Sequence, residues 1–213
     1  MSPEEPIVHI VDDDPRVREA IGELLSAHGI RSSSHASARE YLAAPRSDAP
    51  ACLILDVSLP DINGLDLQNQ LTGPGQPPIV FITGHGDIPS SVRAIKGGAV
   101  DFLTKPFSDA ALLSAVEAAI AQDCEMRAQQ AEIGVLQERY DQLTPRERQV
   151  LPLVVSGLLN KQAAAELRIS EIMLQVHRRN VMQKMRADSL ADLVRMAERL
   201  AIPVTHSRRP GRS

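Results

Sequence analysis

Four short islands carry residues that can do chemistry together: Val11-Asp12-Asp13-Asp14, Leu55-Asp56-Val57, Thr83, and Lys105-Pro106, which begins 22 positions after the threonine. Clustered carboxylates hold a divalent cation that prefers oxygen ligands, and one carboxylate of such a set can act as a nucleophile. A hydroxyl and an ammonium can then steady a transferred phosphoryl group. The chemistry these residue types suit is formation of an aspartyl phosphate.

Such a site needs elements that carry distant islands to one edge. Strand-like runs at 7–11, 30–35, 52–55, 79–83 and 100–103 are each followed by a helical pattern, at about 15–28, 37–44, 64–72, 87–96 and 108–121. Several runs are apolar on both alternating faces, as a parallel sheet covered by helices on both sides demands. Ser37-Ala-Arg-Glu40 and Ser108 have the chemistry of helix N-caps. The expectation is an α/β fold: a five-stranded, doubly wound parallel sheet with its ligands at the carboxyl ends of the strands. Asp12, Asp13, Asp56, Thr83 and Lys105 all stand at or just after predicted strand ends. The stretch Gly73-Pro-Gly-Gln-Pro-Pro78 lacks the Gly-Lys-Ser/Thr ending of a phosphate-cradling loop and reads as a connection between helix and strand.

The chain has 213 residues, 43% of them hydrophobic and 23% charged, an ordinary composition for a soluble protein. Its net charge of −4 conceals an asymmetry: residues 1–140 carry 10 Lys and Arg against 20 Asp and Glu, whereas residues 141–213 carry 13 against 7. An acidic half suits a metal-assisted site, and a compact basic half suits a polyanion such as DNA. Two cysteines, Cys52 and Cys124, make no disulfide framework, and no apolar run reaches the roughly 18 residues of a membrane span. With no basic-then-apolar leader at the start, the expected location is cytoplasmic, with no membrane partner.

Beyond residue 121 the chain is polar and helix-friendly, and Ile133, Leu136, Tyr140 and Leu143 recur at spacings of three and four. A linker helix over 122–141 follows, with Gly134 as a weak point. Thr144-Pro-Arg-Glu147 is a capping box with proline at the first helical position. The helix it opens runs to near Gly157 and contains Pro152, which removes a backbone donor. Helices at 161–167 and 171–185, joined by Arg168-Ile-Ser170, and a fourth from Ser189 to about residue 200 form an all-α four-helix unit. Short helix, tight turn and longer basic helix make a helix-turn-helix.

On these residues, 1–121 resembles a two-component receiver domain, and the whole chain is similar to the FixJ/NarL class of response regulators with a LuxR-type output domain. The resemblance implies that Asp56 is the phosphoacceptor. It implies that Asp13 binds Mg2+ (or Mn2+) directly, Asp12 through water, and Ser58 through its main-chain carbonyl. It further implies that Thr83 and Lys105 contact the phosphoryl oxygens, that the Lys105–Pro106 peptide is cis, and that Phe102 is the aromatic switch, with Pro106 following the lysine. The segments Leu143–Leu151, Gly157-Leu-Leu-Asn-Lys-Gln162 and Val176 to Met185 match the family's output domain, whose third helix enters the DNA major groove and whose fourth supports dimer contact.

The candidates to face DNA on that third helix are Ser170, Glu171, Leu174, Gln175, Arg178, Arg179 and Lys184, with His177 as a phosphate or core hydrogen-bond partner. Ile172, Val176 and Val181 are expected to turn inward. Met173 and Gln175 stand where the family usually has Thr and Lys, and Arg168 replaces a common turn glycine, which is tolerable if the turn needs no positive φ. The domains expected are a receiver at 1–121, a helical linker at 122–141, a DNA-binding domain at 142–203 and a basic, flexible tail at 204–213.

The reading is a response regulator: a sensor histidine kinase phosphorylates Asp56, the chain becomes a homodimer, and it binds promoter DNA, with RNA polymerase as a further partner. Self-phosphorylation and slow hydrolysis do not make it a turnover enzyme. Two alternatives stand beside it. A phosphotransferase or phosphatase would use the same acid, hydroxyl and lysine, but its Asp-x-Asp-x-Thr segment is absent, since Asp56-Val57-Ser58 lacks the second acid. A DNA-binding protein could also keep the first half only as a dimerisation platform.

Overall fold

The computed structural model describes residues 5–45, 47–71, 73, 75–84 and 88–203. Two compact units divide between Ala128 and Gln129. In the first, five strands, β1 (Ile7–Val11), β2 (Arg31–His35), β3 (Ala51–Asp56), β4 (Ile79–Thr83) and β5 (Asp101–Thr104), alternate with α1 (Pro15–Ala27), α2 (Ala38–Ala43), α3 (Gly64–Gln70) and α4 (Ile88–Lys96). The predicted strand starts at Ile30 and Val100 each fall one residue early, and residue 87, the predicted start of the fourth helix, lies outside the described residues.

The strands pair in parallel in the order β2-β1-β3-β4-β5. The central β3 is buried along its whole length, so period-two alternation sends its side chains into two cores. Cys52 and Ile54 join Val8, Ile10, Val80 and Ile82 beneath Ile21 and Leu25 of α1. Leu53 and Leu55 join Val11, Ile79 and Phe81 beneath Leu65, Leu67 and Ala94 of α3 and α4. Burial of its sulfur pushes the Cys52 thiol far up from its ordinary pKa, which leaves it an inert core group.

The helix predicted to stop near 121 does not stop. One helix, α5, runs Asp109–Asp141, and the division between the units falls inside it. No proline or cap interrupts it, and its middle is anchored: buried Asp123 accepts from the Ala51 amide at 2.7 Å and from Arg127 Nε at 2.6 Å, while Arg127 donates to the Asp48 carbonyl at 3.0 Å. The predicted linker is therefore a continuation rather than a separate helix.

The second unit contains α6 (Pro145–Val155), α7 (Asn160–Leu167), α8 (Glu171–Met185) and α9 (Leu190–Arg199) around Val150, Leu151, Val154, Leu174, Val181, Met185 and Leu193. Leu143 and Tyr140 of the predicted stripe pack on this core. The capping box forms as read: the Thr144 hydroxyl accepts from the Glu147 amide and Glu147 accepts from the Thr144 amide. The helix continues three residues past Pro152, whose carbonyl accepts from both the amide and the hydroxyl of Ser156. The turn after α7 does need a positive φ: Arg168 caps that helix at φ 53°. The condition under which a non-glycine residue is tolerated there without strain is thus not met, because the two amides after the helix can reach its last carbonyls only through a left-handed residue. The 204–213 tail lies outside the described residues.

Among the described residues no helix is long and apolar enough to cross a membrane.

Candidate phosphoacceptor pocket and DNA-facing helix

The strand order reverses between β1 and β3, so residues just past their carboxyl ends border one crevice. Register does the rest: Val11 lies beside Leu55, Asp56 beside Ile82, and Thr83 beside Thr104. The next residues along the chain, Asp12 and Lys105, therefore arrive at the same edge as Asp56 and Thr83. Asp12, Asp56 and Thr83 are buried, and Asp13 is exposed.

One carboxylate oxygen each of Asp12, Asp13 and Asp56 lies within 4.8 Å of the others. Lys105 Nζ donates to Asp12 Oδ2 at 2.6 Å and stands 3.5 Å from Asp56 Oδ2. Three carboxylates against one ammonium leave an excess of two negative charges, which matches a divalent, oxygen-preferring ion, so the residues present fit a metal. Burial raises the Asp56 carboxyl above its ordinary range, with Lys105 opposing and Asp12 adding to the rise.

The loops around this set are tightly specified. The Asp14 amide donates to Asp12 Oδ1 at 2.9 Å, and Asp14 in turn caps α1 by accepting from the Arg16 amide. The Ser58 amide points at Asp56 Oδ1 at 3.4 Å, and Ser58 bridges to Asn63, which caps α3. A Cβ on Gly64 would fall 2.4 Å from the Asp56 carbonyl oxygen, so the start of α3 reaches β3 only as glycine. The Lys105 amide donates to the Thr83 carbonyl at 2.7 Å. The Lys105–Pro106 peptide is cis, Pro106 is exposed, and half-buried Phe102 packs 6.2 Å from the ring of Phe81.

One residue of the pocket escaped the sequence reading. Arg18, on α1, donates from Nη1 to the carbonyls of Asp12 at 2.6 Å and Asp13 at 3.0 Å. An arginine one helical turn after the acid cluster was the available signal.

In the second unit, α8 is rotated relative to the reading above. Ile172, Met173 and Val176 are 77%, 47% and 44% exposed, and Gln175 and Arg179 are exposed beside them. Leu174, placed on the DNA side by the sequence reading, is fully buried, and Ile172 and Val176, placed inward, face out; Val181 is buried as expected. Apolarity alone could not set the phase, because the exposed face is itself apolar. Ser170 uses its hydroxyl to cap α8, accepting from the Met173 amide, and Glu171 is exposed in the first turn. Arg178 donates to Asn160 Oδ1 at 3.0 Å, half-buried against α7. His177 Nδ1 is buried and has no hydrogen-bond partner among the described residues.

Lys184 is engaged internally, donating to Glu147 Oε2 at 2.7 Å. Burial would raise that carboxyl, but Lys184, the amide and hydroxyl of Thr144, and Asn180 hold it down to about 2. Lys161, exposed at the start of α7, was not among the DNA-facing candidates.

Residues 8–117 match the model of the response regulator receiver domain, and residues 141–197 match that of the bacterial regulatory proteins of the luxR family. Nodulation protein W of Bradyrhizobium diazoefficiens is 48% identical over 202 residues, 94% of this chain and 89% of that one. The transcriptional regulatory protein FixJ of Azorhizobium caulinodans is 43% identical over 92% of this chain and 93% of its own. The solved structure of the response regulator StyR superposes with a TM-score of 0.76 at 45% identity, covering 91% of this chain and 98% of that chain. With both halves matched in this order and the alignments running through nearly all of each relative, the chain belongs to the two-component response regulators that join a receiver domain to a LuxR-type DNA-binding domain and regulate transcription.

Proposed function

We propose that a sensor histidine kinase transfers its phosphoryl group to Asp56, and that the phosphorylated chain dimerises and binds promoter DNA through α8. The observation that carries this reading is the grouping of the three carboxylates within 4.8 Å, with Lys105 bonded to one and adjacent to the phosphoacceptor candidate. Asp12, Asp13 and Asp56 would hold Mg2+ (or Mn2+), with the Ser58 carbonyl beside them. The bound ion supplies neutralisation of the charge on the transferred phosphoryl group.

In this scheme Asp56 Oδ attacks phosphorus, its P–O bond forming as the bond to the donor nitrogen or oxygen breaks and the leaving group departs with that electron pair. Lys105 and Thr83 steady the equatorial oxygens, and the change at Thr83 reaches Phe102. Slow hydrolysis resets the chain, so it is a switch and not a turnover enzyme.

A groove of about 250 Å³ beside Lys105, lined by Val17, Ile21, Leu24, Pro106 and Phe107, supports an apolar helix of the kinase as the docking partner. The exposed apolar stripe Ile88, Val92 and Ile95 on α4 supports a dimer. RNA polymerase is the further partner that promoter binding implies, and a DNA target supports a cytoplasmic location.

Incubation with acetyl phosphate and Mg2+ tests the reading. One phosphate is expected on Asp56, with none on the Asp56→Asn variant, whose amide is a poor nucleophile. Undiminished labelling of the variant would move the acceptor elsewhere.

A further inference from the structure

Resting on the cation pocket proposed above, we propose that Arg18 is a positioning residue for metal binding: its guanidinium clamps the main chain of the two loop acids so that their carboxylates converge. The loop from Val11 to Asp14 must hold Asp12 and Asp13 near Asp56 against their mutual repulsion. The exposed Asp13 carboxylate contributes little rigidity there. Asp13 is exposed, and its carboxylate is available to the proposed ion.

What restrains the loop is main-chain bonding. The Asp12 amide donates to the His35 carbonyl at 3.3 Å, the Asp14 amide to Asp12 Oδ1 at 2.9 Å, and Arg18 Nη1 bonds the two consecutive carbonyls of Asp12 and Asp13. Arg18 rides on α1, whose own first turn is set by Asp14 and Pro15, so the clamp is carried by a rigid element. A guanidinium offers planar, charge-assisted donors to both carbonyls, and an ammonium would meet them as a point charge. Supporting contacts of this kind orient metal-binding groups, and their loss typically weakens affinity by about 10–100-fold.

The sign of the effect separates this role from simple electrostatics. Arg18 is a cation beside a cation site. If only its charge mattered, removing it would tighten metal binding, and replacing it with lysine would change nothing. If the clamp matters, Arg18→Met and Arg18→Lys both weaken binding.

The test titrates the full chain with Mn2+, following loss of the free-ion electron paramagnetic resonance signal, for the wild type, Asp13→Asn, Arg18→Met and Arg18→Lys. Circular dichroism checks each fold, and Arg18→Gln replaces any variant that does not fold. The expected result is ion binding by the wild type, near loss in Asp13→Asn, and roughly tenfold or greater weakening in both Arg18 variants. In those variants, labelling by acetyl phosphate should recover when the ion is raised to saturation. Unchanged or tighter binding in the Arg18 variants would overturn the clamp while leaving the pocket intact. Absence of ion binding by the wild type would instead remove the pocket on which the clamp rests.

Discussion

Lys184→Met should destabilise the second unit without weakening its grip on DNA phosphates, although Lys184 sits on the helix proposed to read DNA. Lys184 holds the buried Glu147 carboxylate at 2.7 Å, and together with Thr144 and Asn180 it keeps that carboxyl at about 2 against an ordinary 4.5. At about 1.4 kcal/mol per pKa unit, that gap corresponds to roughly 3 kcal/mol, an upper bound for the lysine because Thr144 and Asn180 share the effect. A depressed acid contributes stability that is present in full above its unfolded pKa and is lost as pH falls through the folded one. The difference between wild type and variant should therefore be largest at pH 7, where it stays below about 3 kcal/mol, and shrink as pH falls toward 3. Urea unfolding followed by far-ultraviolet circular dichroism at several pH values measures it. DNA binding measured over a range of salt concentrations gives the second readout, in which the slope of the variant should match wild type. A stability difference independent of pH, or a salt slope reduced by about one, would refute the argument and return Lys184 to the DNA interface.

Other outcomes follow from the same geometry. Lys105→Ala should still label on Asp56 but fail to dimerise, since in the proposed scheme the ammonium links the phosphoryl group to the loop before α5; sedimentation of the phosphorylated variant measures this. Replacing both Lys161 and Arg179 with Ala should lower DNA affinity and flatten its salt dependence by about one per lost phosphate contact, with phosphorylation unaffected, as binding titrations at several salt concentrations would report. Arg168→Gly should stabilise the second unit by about 1 kcal/mol, roughly 4–8 °C in calorimetry, because a left-handed cap at φ 53° strains any residue with a Cβ.

Strand runs bounded by acids, hydroxyl and lysine were legible because a covered parallel sheet demands apolar segments and places its ligands at their carboxyl ends. Caps were legible too: Thr144 with Glu147, Ser37 and Ser108 act through bonds three residues long, and all three appear where read. The order of the islands was enough to name the pocket.

What the linear pattern could not decide was anything set by contacts across the chain. The phase of α8 depends on which apolar side chains find the core, and Leu174 wins it while Ile172 and Val176 stay outside. The run of α5 through residue 121 depends on Asp123 finding the Ala51 amide 72 positions away, and the role of Lys184 on Glu147 lying 37 positions back. Local hydrogen bonds and hydrophobic periodicity are written in neighbouring residues. The partner that satisfies a buried charge, and the face a helix buries, are chosen only when distant segments compete for the same interior.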